Sequence, residues 1–295
     1  MKTKVRIGAA MAVSAIALVA TVADARHQWR KYEWAYDGTP INVVIYDNTS
    51  RAGHEQTGRS WSDRVADASA DWNVSSRIDG SVTNGNNPGC DLITGQIHVC
   101  SDDYGSNGWL GIASISINGN EIIAGSTKLN DFYFAQSRYN SEDWKQLVAC
   151  QEIGHDYGLA HQNENFNTDA TTSCMEYTSW PAGNTTPDQH DYDQLEAMYT
   201  VSDGSTGGGR GGGKGGGGGG GGKPAKLPSV GNTQNTWGTP IDYLPNGKPF
   251  MFEREMNGYR IITHVTWTIE EALEQGGHHD GPVVRQHSGD HHFDN

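Results

Sequence analysis

Cys150-Gln-Glu-Ile-Gly-His-Asp-Tyr-Gly-Leu-Ala-His161 is the stretch on which the reading of this chain turns. It closes a helical pattern that begins near Ser141. Trp144, Val148, Gln151 and His155 recur at i, i+4, i+7 and i+11, so they share one face, and that face passes from apolar to polar toward its end. Glu152 stands three residues before His155. Gly158 is where such a helix stops in a left-handed conformation, turning the chain so that His161 points back toward His155. Two imidazoles converging beside a carboxylate supply what a catalytic zinc needs: neutral nitrogen donors, an open position for water, and a general base.

Upstream of this segment, residues 41–46, 96–100, 112–117 and 121–124 read as strands. Ser60 caps a helix whose apolar positions Trp61, Val65, Ala68 and Trp72 repeat at helical spacing. Downstream, Thr186-Pro187 opens a further helix, with Pro at its first position, that continues through Leu195 to Tyr199. His190-Asp191-Tyr192-Asp193 at its start reads as helix-start chemistry. Strands with one early and two late helices indicate an α+β domain. Trp29, Tyr32, Trp34 and Tyr36 precede it and are expected to pack against the edge of the sheet.

The flanks set the organisation. Residues 1–25 carry Lys2, Lys4 and Arg6, an apolar run of about 16 residues and Ala23-Asp24-Ala25, the pattern of a signal peptide, with cleavage expected after Ala25. The run falls short of the roughly 20 residues that span a bilayer. The expectation is a secreted protein, extracellular or periplasmic, with no membrane anchor after cleavage. Residues 26–203 form one block of ordinary composition. Residues 204–223 form a flexible Gly-rich linker, with 15 glycines between Gly204 and Gly222. Residues 224–295 read as a small appendage, marginal as an independent domain, that docks on the first domain or stays partly disordered. Its two strand-like runs, 249–255 and 259–265, are joined across Asn257-Gly258 as a β-hairpin, and its His-rich tail (His278, His279, His287, His291, His292) is partly disordered with no identified partner. A net charge of −14 leaves no electrostatic footprint for nucleic acid. Four cysteines allow three connectivities, and local pairing as Cys90–Cys100 and Cys150–Cys174 is the cheapest topology.

Glu152, His155, Gly158 and His161 stand in the register of H-E-x-x-H-x-x-G-x-x-H, and the segment resembles the zinc-binding motif of the metzincin metalloproteases. Ser173-Cys174-Met175-Glu176-Tyr177 resembles the Met-turn of that superfamily. The order of elements over residues 40–200 is similar to a matrixin-like catalytic domain, although the specific motifs occupy only 151–161 and 174–177. The resemblance implies a small twisted sheet with a helix packed on it, an active-site helix and a C-terminal helix. It also implies a zinc-dependent endopeptidase acting on protein or peptide substrates. Zinc would be held by His155, His161 and Gln151, Glu152 would be the general base, and Met175 a structural floor rather than a ligand. A Cys150–Cys174 bridge would then fix the two walls of the site. No cysteine lies between the expected cleavage point and the first strand, so latency by a cysteine switch is not available.

One position departs from the motif: its first ligand is Gln151, not histidine. Three readings are open. Gln151 ligates the ion through its amide oxygen, directly or through water. A side chain from the tail or a nearby loop completes the site. Or catalysis has been lost and the fold persists as a binding module for an extracellular protein or surface partner. Asp102-Asp103-Tyr104-Gly105-Ser106-Asn107-Gly108 and Asn130-Asp131 could offer oxygens to calcium, but their spacing matches no EF-hand loop and reads as turn chemistry.

Overall fold

The computed structural model describes residues 27–50, 58–166, 170–200 and 225–273. In chain order these form β1 (Glu33–Trp34), β2 (Val44–Asn48), α1 (Trp61–Trp72), β3 (Ser81–Asn84), β4 (Gln96–Asp102), β5 (Trp109–Asn118) and β6 (Glu121–Asn130). There follow α2 (Asp131–Phe134), α3 (Glu142–Asp156), α4 (Gln189–Met198), α5 (Gln234–Trp237), β7 (Thr239–Tyr243), β8 (Pro249–Met256), β9 (Tyr259–Trp267) and α6 (Ile269–Leu273). The molecule is thus of mixed α and β structure built on a many-stranded sheet.

Among the described residues the sheet has nine strands, in the order β3-β2-β4-β6-β5-β9-β8-β7, with β1 pairing with the start of β6. The β2–β3, β2–β4 and β4–β6 pairs are parallel. The β6–β5, β5–β9, β9–β8 and β8–β7 pairs are antiparallel. One half is therefore built from long crossovers and the other from hairpins. The Asn257-Gly258 turn joins β8 to β9, with Met256 opposite Tyr259 and both turn residues at positive φ.

Residues 225–273 lie within the segment 224–295 for which the sequence leaves docking on the first domain open. Read from composition as a small appendage, they contribute three strands to the same sheet. β9 runs along β5 from Trp109↔Trp267 to Ile117↔Arg260. The physical reason lies in burial. Ile261, Ile262, Val265, Phe250 and Phe252 are almost wholly buried, which two strands alone could not achieve. Leu227 N–H donates to Leu92 O, and Lys128 Nζ donates to Val230 O and to Asn232, so the chain preceding the hairpin is also anchored. The His-rich tail and the expected signal segment lie outside the described residues.

Two helices set the site against this sheet. α1 starts at Ser60 with a capping box to Asp63 and packs on α3, with Trp72 Nε1 donating to Cys150 O at 3.0 Å. α4 begins later than the Thr186-Pro187 reading places it. Its N-cap is Asp188, which receives the amides of His190 and Asp191, and Asp191 completes the capping box. No helix among the described residues is long and apolar enough to cross a membrane.

Candidate metal centre

α3 is capped at its start by Ser141, whose hydroxyl accepts from Trp144 N–H, and carries Glu142 and Asp143 in its first turn. It ends at Asp156, and Gly158 follows at φ +88°. A Cβ there would lie 2.3 Å from Tyr32 O, so the position demands glycine for space as well as for conformation. The chain turns back at this point, and Leu159 O accepts from His155 Nδ1 at 2.7 Å. A carbonyl only accepts, so Nδ1 carries the hydrogen and Nε2 is left as a free donor to an ion.

His161, on the loop after the turn, comes within 5.0 Å of His155 between ring centroids. A third imidazole meets both: His264, from the middle of β9, lies 3.7 Å from His155 and 4.6 Å from His161. One ligand atom from each of these three residues falls within 4.8 Å of the others, and they form the only such His, Cys, Asp or Glu group among the described residues. His155, His161 and His264 are 0%, 7% and 1% exposed. His155 Nε2 and both ring nitrogens of His161 and His264 are buried with no hydrogen-bond partner among the described residues. Buried polar atoms are rarely left unmade, and the three imidazoles could hold a metal ion between them. An all-imidazole donor set suits zinc and its transition-metal neighbours rather than calcium.

Burial depresses the three imidazoles. Burial lowers His155 to about 4, against the opposing pull of its hydrogen bond to Leu159 O; His161 and His264 are lowered well below the ordinary value by burial first and by neighbouring imidazoles second. All three are therefore neutral, and able to bind a metal, at physiological pH.

Glu152 lies one turn before His155 and is fully buried, and neither carboxylate oxygen makes a hydrogen bond of good geometry among the described residues. Its space is made by β5: a Cβ on Gly111 would fall 2.5 Å from Glu152 Oε1. Burial raises its pKa well above the usual carboxylate range. The nearby Thr266 hydroxyl and Ala113 amide oppose that shift and Asp156 adds to it. An ion beside it would favour the carboxylate.

Both polar atoms of the Gln151 side chain are hydrogen-bonded within the fold. Its amide nitrogen donates to Cys174 O at 2.8 Å and to Glu176 O at 3.0 Å, and its amide oxygen accepts from Thr266 Oγ1 at 2.8 Å. It thus spans the carbonyls on either side of Met175 and the hydroxyl of β9. Met175 is fully buried with its sulfur against Gly154, where a Cβ would lie 2.6 Å away. Gln162 N–H donates to Met175 O, which ties this turn to the loop carrying His161. The cysteines pair as Cys90–Cys100 and Cys150–Cys174, the latter joining α3 just before Gln151 to the turn just before Met175. Trp29, expected at the sheet edge, reaches the site instead, 5.6 Å from His155 and 5.8 Å from His264.

The segment considered for calcium is internally satisfied. Asn130 Nδ2 donates to Gly105 O, Asn107 Oδ1 and Trp109 O, and Asp131 Oδ1 accepts from Trp61 Nε1. His264 is the residue that motif reading passes over. Its one signal was the alternation Ile262, His264, Thr266, which puts polar side chains on the face of a strand that otherwise reads as core. A scan against protein-family models finds no match, and no curated protein is significantly similar to the chain.

Proposed function

We propose that this chain is a secreted, metal-dependent peptide hydrolase whose ion is held by His155, His161 and His264. The observation that supports this reading is the convergence of three neutral imidazoles, each with a ring nitrogen that has no partner among the described residues, beside the buried carboxylate of Glu152. A bound zinc ion would supply Lewis acidity, polarising a carbonyl and making water acidic near neutral pH. Glu152 would accept the proton of the attacking water on a carboxylate oxygen and return it to the leaving amine, a role worth on the order of 10²–10⁴-fold. His155 is oriented by Leu159 O, and Trp29 and Phe250 exclude bulk water from the imidazoles.

One observation favours a second reading. At 0–7% exposure the imidazoles have no open approach, as in a structural metal site that binds without turnover. The two readings separate on the full chain. Zinc content is measured alongside hydrolysis of unfolded casein for the natural protein, His264→Ala and Glu152→Gln. About one zinc per chain, lost in His264→Ala, with hydrolysis that Glu152→Gln abolishes while keeping zinc, supports the hydrolase. Zinc without hydrolysis in the natural protein supports the binding module.

A further inference from the structure

His264 reaches the site only because β9 is seated on β5, and one side chain links that seating to α3. Thr266 is two residues from His264, so both project from the same face of the strand. Opposite them β5 presents Gly111 and Ala113, small residues that leave the space between strand and helix to Thr266, His264 and Glu152. Thr266 Oγ1 donates to Gln151 Oε1, and the Gln151 amide nitrogen is spent on the two carbonyls flanking Met175. Gln151 and Thr266 are 1% and 6% exposed, so water cannot replace either partner cheaply. A single amide therefore joins the helix bearing His155, the turn tied to the His161 loop, and the strand bearing His264. Tyr177 adds a backbone clasp, its hydroxyl donating to Val265 O and accepting from Trp267 N–H.

We propose that Gln151 is a positioning residue that, through Thr266, sets the depth at which His264 enters the site, so that ion binding and docking of β9 onto β5 form one coupled equilibrium. The inference rests on the metal-site reading above. Linkage makes the coupling reciprocal: whatever loosens β9 weakens the ion, and the ion tightens β9 by the same factor. Outer partners of metal ligands typically account for 10–100-fold in affinity.

The test uses the full chain with zinc and, for a visible signal, cobalt(II). Affinity and the cobalt absorption spectrum are recorded for the natural protein, Gln151→Met, Thr266→Val, Thr266→Ser and the Gln151→Met/Thr266→Val pair. Hydrogen exchange of residues 259–267 is followed with and without zinc. Gln151→Met and Thr266→Val should each weaken zinc by 10–100-fold and shift the cobalt spectrum. The pair should be no worse than the poorer single variant. Thr266→Ser, which keeps the hydroxyl, should bind within about threefold of the natural protein. Zinc should slow exchange in residues 259–267 of the natural protein, and less so in Thr266→Val. Zinc affinity and cobalt spectrum unchanged in Thr266→Val, whose side chain has the same shape as threonine, would overturn the proposal and leave the metal site standing. So would zinc binding that leaves exchange in β9 unaltered. Failure of the natural protein to bind either ion would overturn the proposal together with the reading beneath it.

Discussion

Gly154→Ala sets two effects of similar size against each other. Gly154 lies inside α3, between Glu152 and His155, where alanine ordinarily stabilises a helix by about 1 kcal/mol. The added methyl would lie 2.5 Å from Trp72 Cζ2 and 2.6 Å from Met175 Sδ. Met175 is a flexible side chain, but it is fully buried in a turn held by the Cys150–Cys174 bridge and by Gln151. Trp72 is rigid, fully buried, and pinned by its hydrogen bond to Cys150 O. Overpacking of this kind costs about 1–3 kcal/mol. Subtracting the helix gain leaves a net loss of about 1 kcal/mol, with an upper end near 2 kcal/mol. For a protein of this size that lowers Tm by roughly 2–8 °C. Because the clash pushes α3 away from the Met175 turn, zinc affinity should fall as well. Calorimetry of the zinc-free protein and zinc titration of the folded variant measure the two effects separately. A Tm raised by about 2–4 °C over the natural protein would refute the packing argument, because helix propensity would then be acting alone.

Replacing Cys150 and Cys174 together by Ser opens a loop spanning 24 residues, and chain entropy puts the loss at about 3.5 kcal/mol, read by urea denaturation. Gly111→Ala should crowd Glu152, 2.5 Å from the new methyl, and reduce hydrolysis more than it reduces zinc content, as paired kinetic and elemental measurements will show. In Glu152→Gln, which has no carboxyl proton to release, zinc affinity should change by less than about tenfold between pH 7.5 and 5.5, because burial keeps His155, at about 4, and its two partners neutral over that range. Three ordinary imidazoles would instead lose about tenfold each per pH unit below 6.5. The same depression means that the zinc-free fold keeps the contribution of His155, roughly 3 kcal/mol, above pH 6.5 and loses it progressively as pH falls from 6.5 to about 4, because over that range the unfolded chain takes a proton that the fold refuses. The buried Glu152 and Asp156, raised in the fold, act in the opposite direction as pH rises. A chelated sample whose Tm rose steadily from pH 6.5 to 4 would show that the carboxyls dominate.

Local chemistry was legible in the sequence because short-range rules govern it. The Ser60 cap, the stop of α3 at Gly158, the Asn257-Gly258 hairpin and the helical face ending in His155 each depend on residues within a few positions of one another, where spacing and backbone preference decide the outcome. The convergence of His161 on His155 belongs with these, since one tight turn produces it. The third imidazole does not. His264 follows His161 by more than one hundred residues and a glycine-rich run, and its one local signal, a polar residue alternating within a strand that otherwise reads as core, does not say what it meets. Only the pairing of β9 with β5 places it beside α3. The same pairing decides what Gln151 does: the motif offers its amide oxygen to an ion, whereas the fold supplies Thr266 to that oxygen and two carbonyls to its nitrogen. Composition marked residues 224–295 as an appendage, marginal by itself because so short a piece cannot bury its own apolar side chains. Adding them to an existing sheet edge buries them, and burial of that kind belongs to the assembled fold rather than to any segment of the chain.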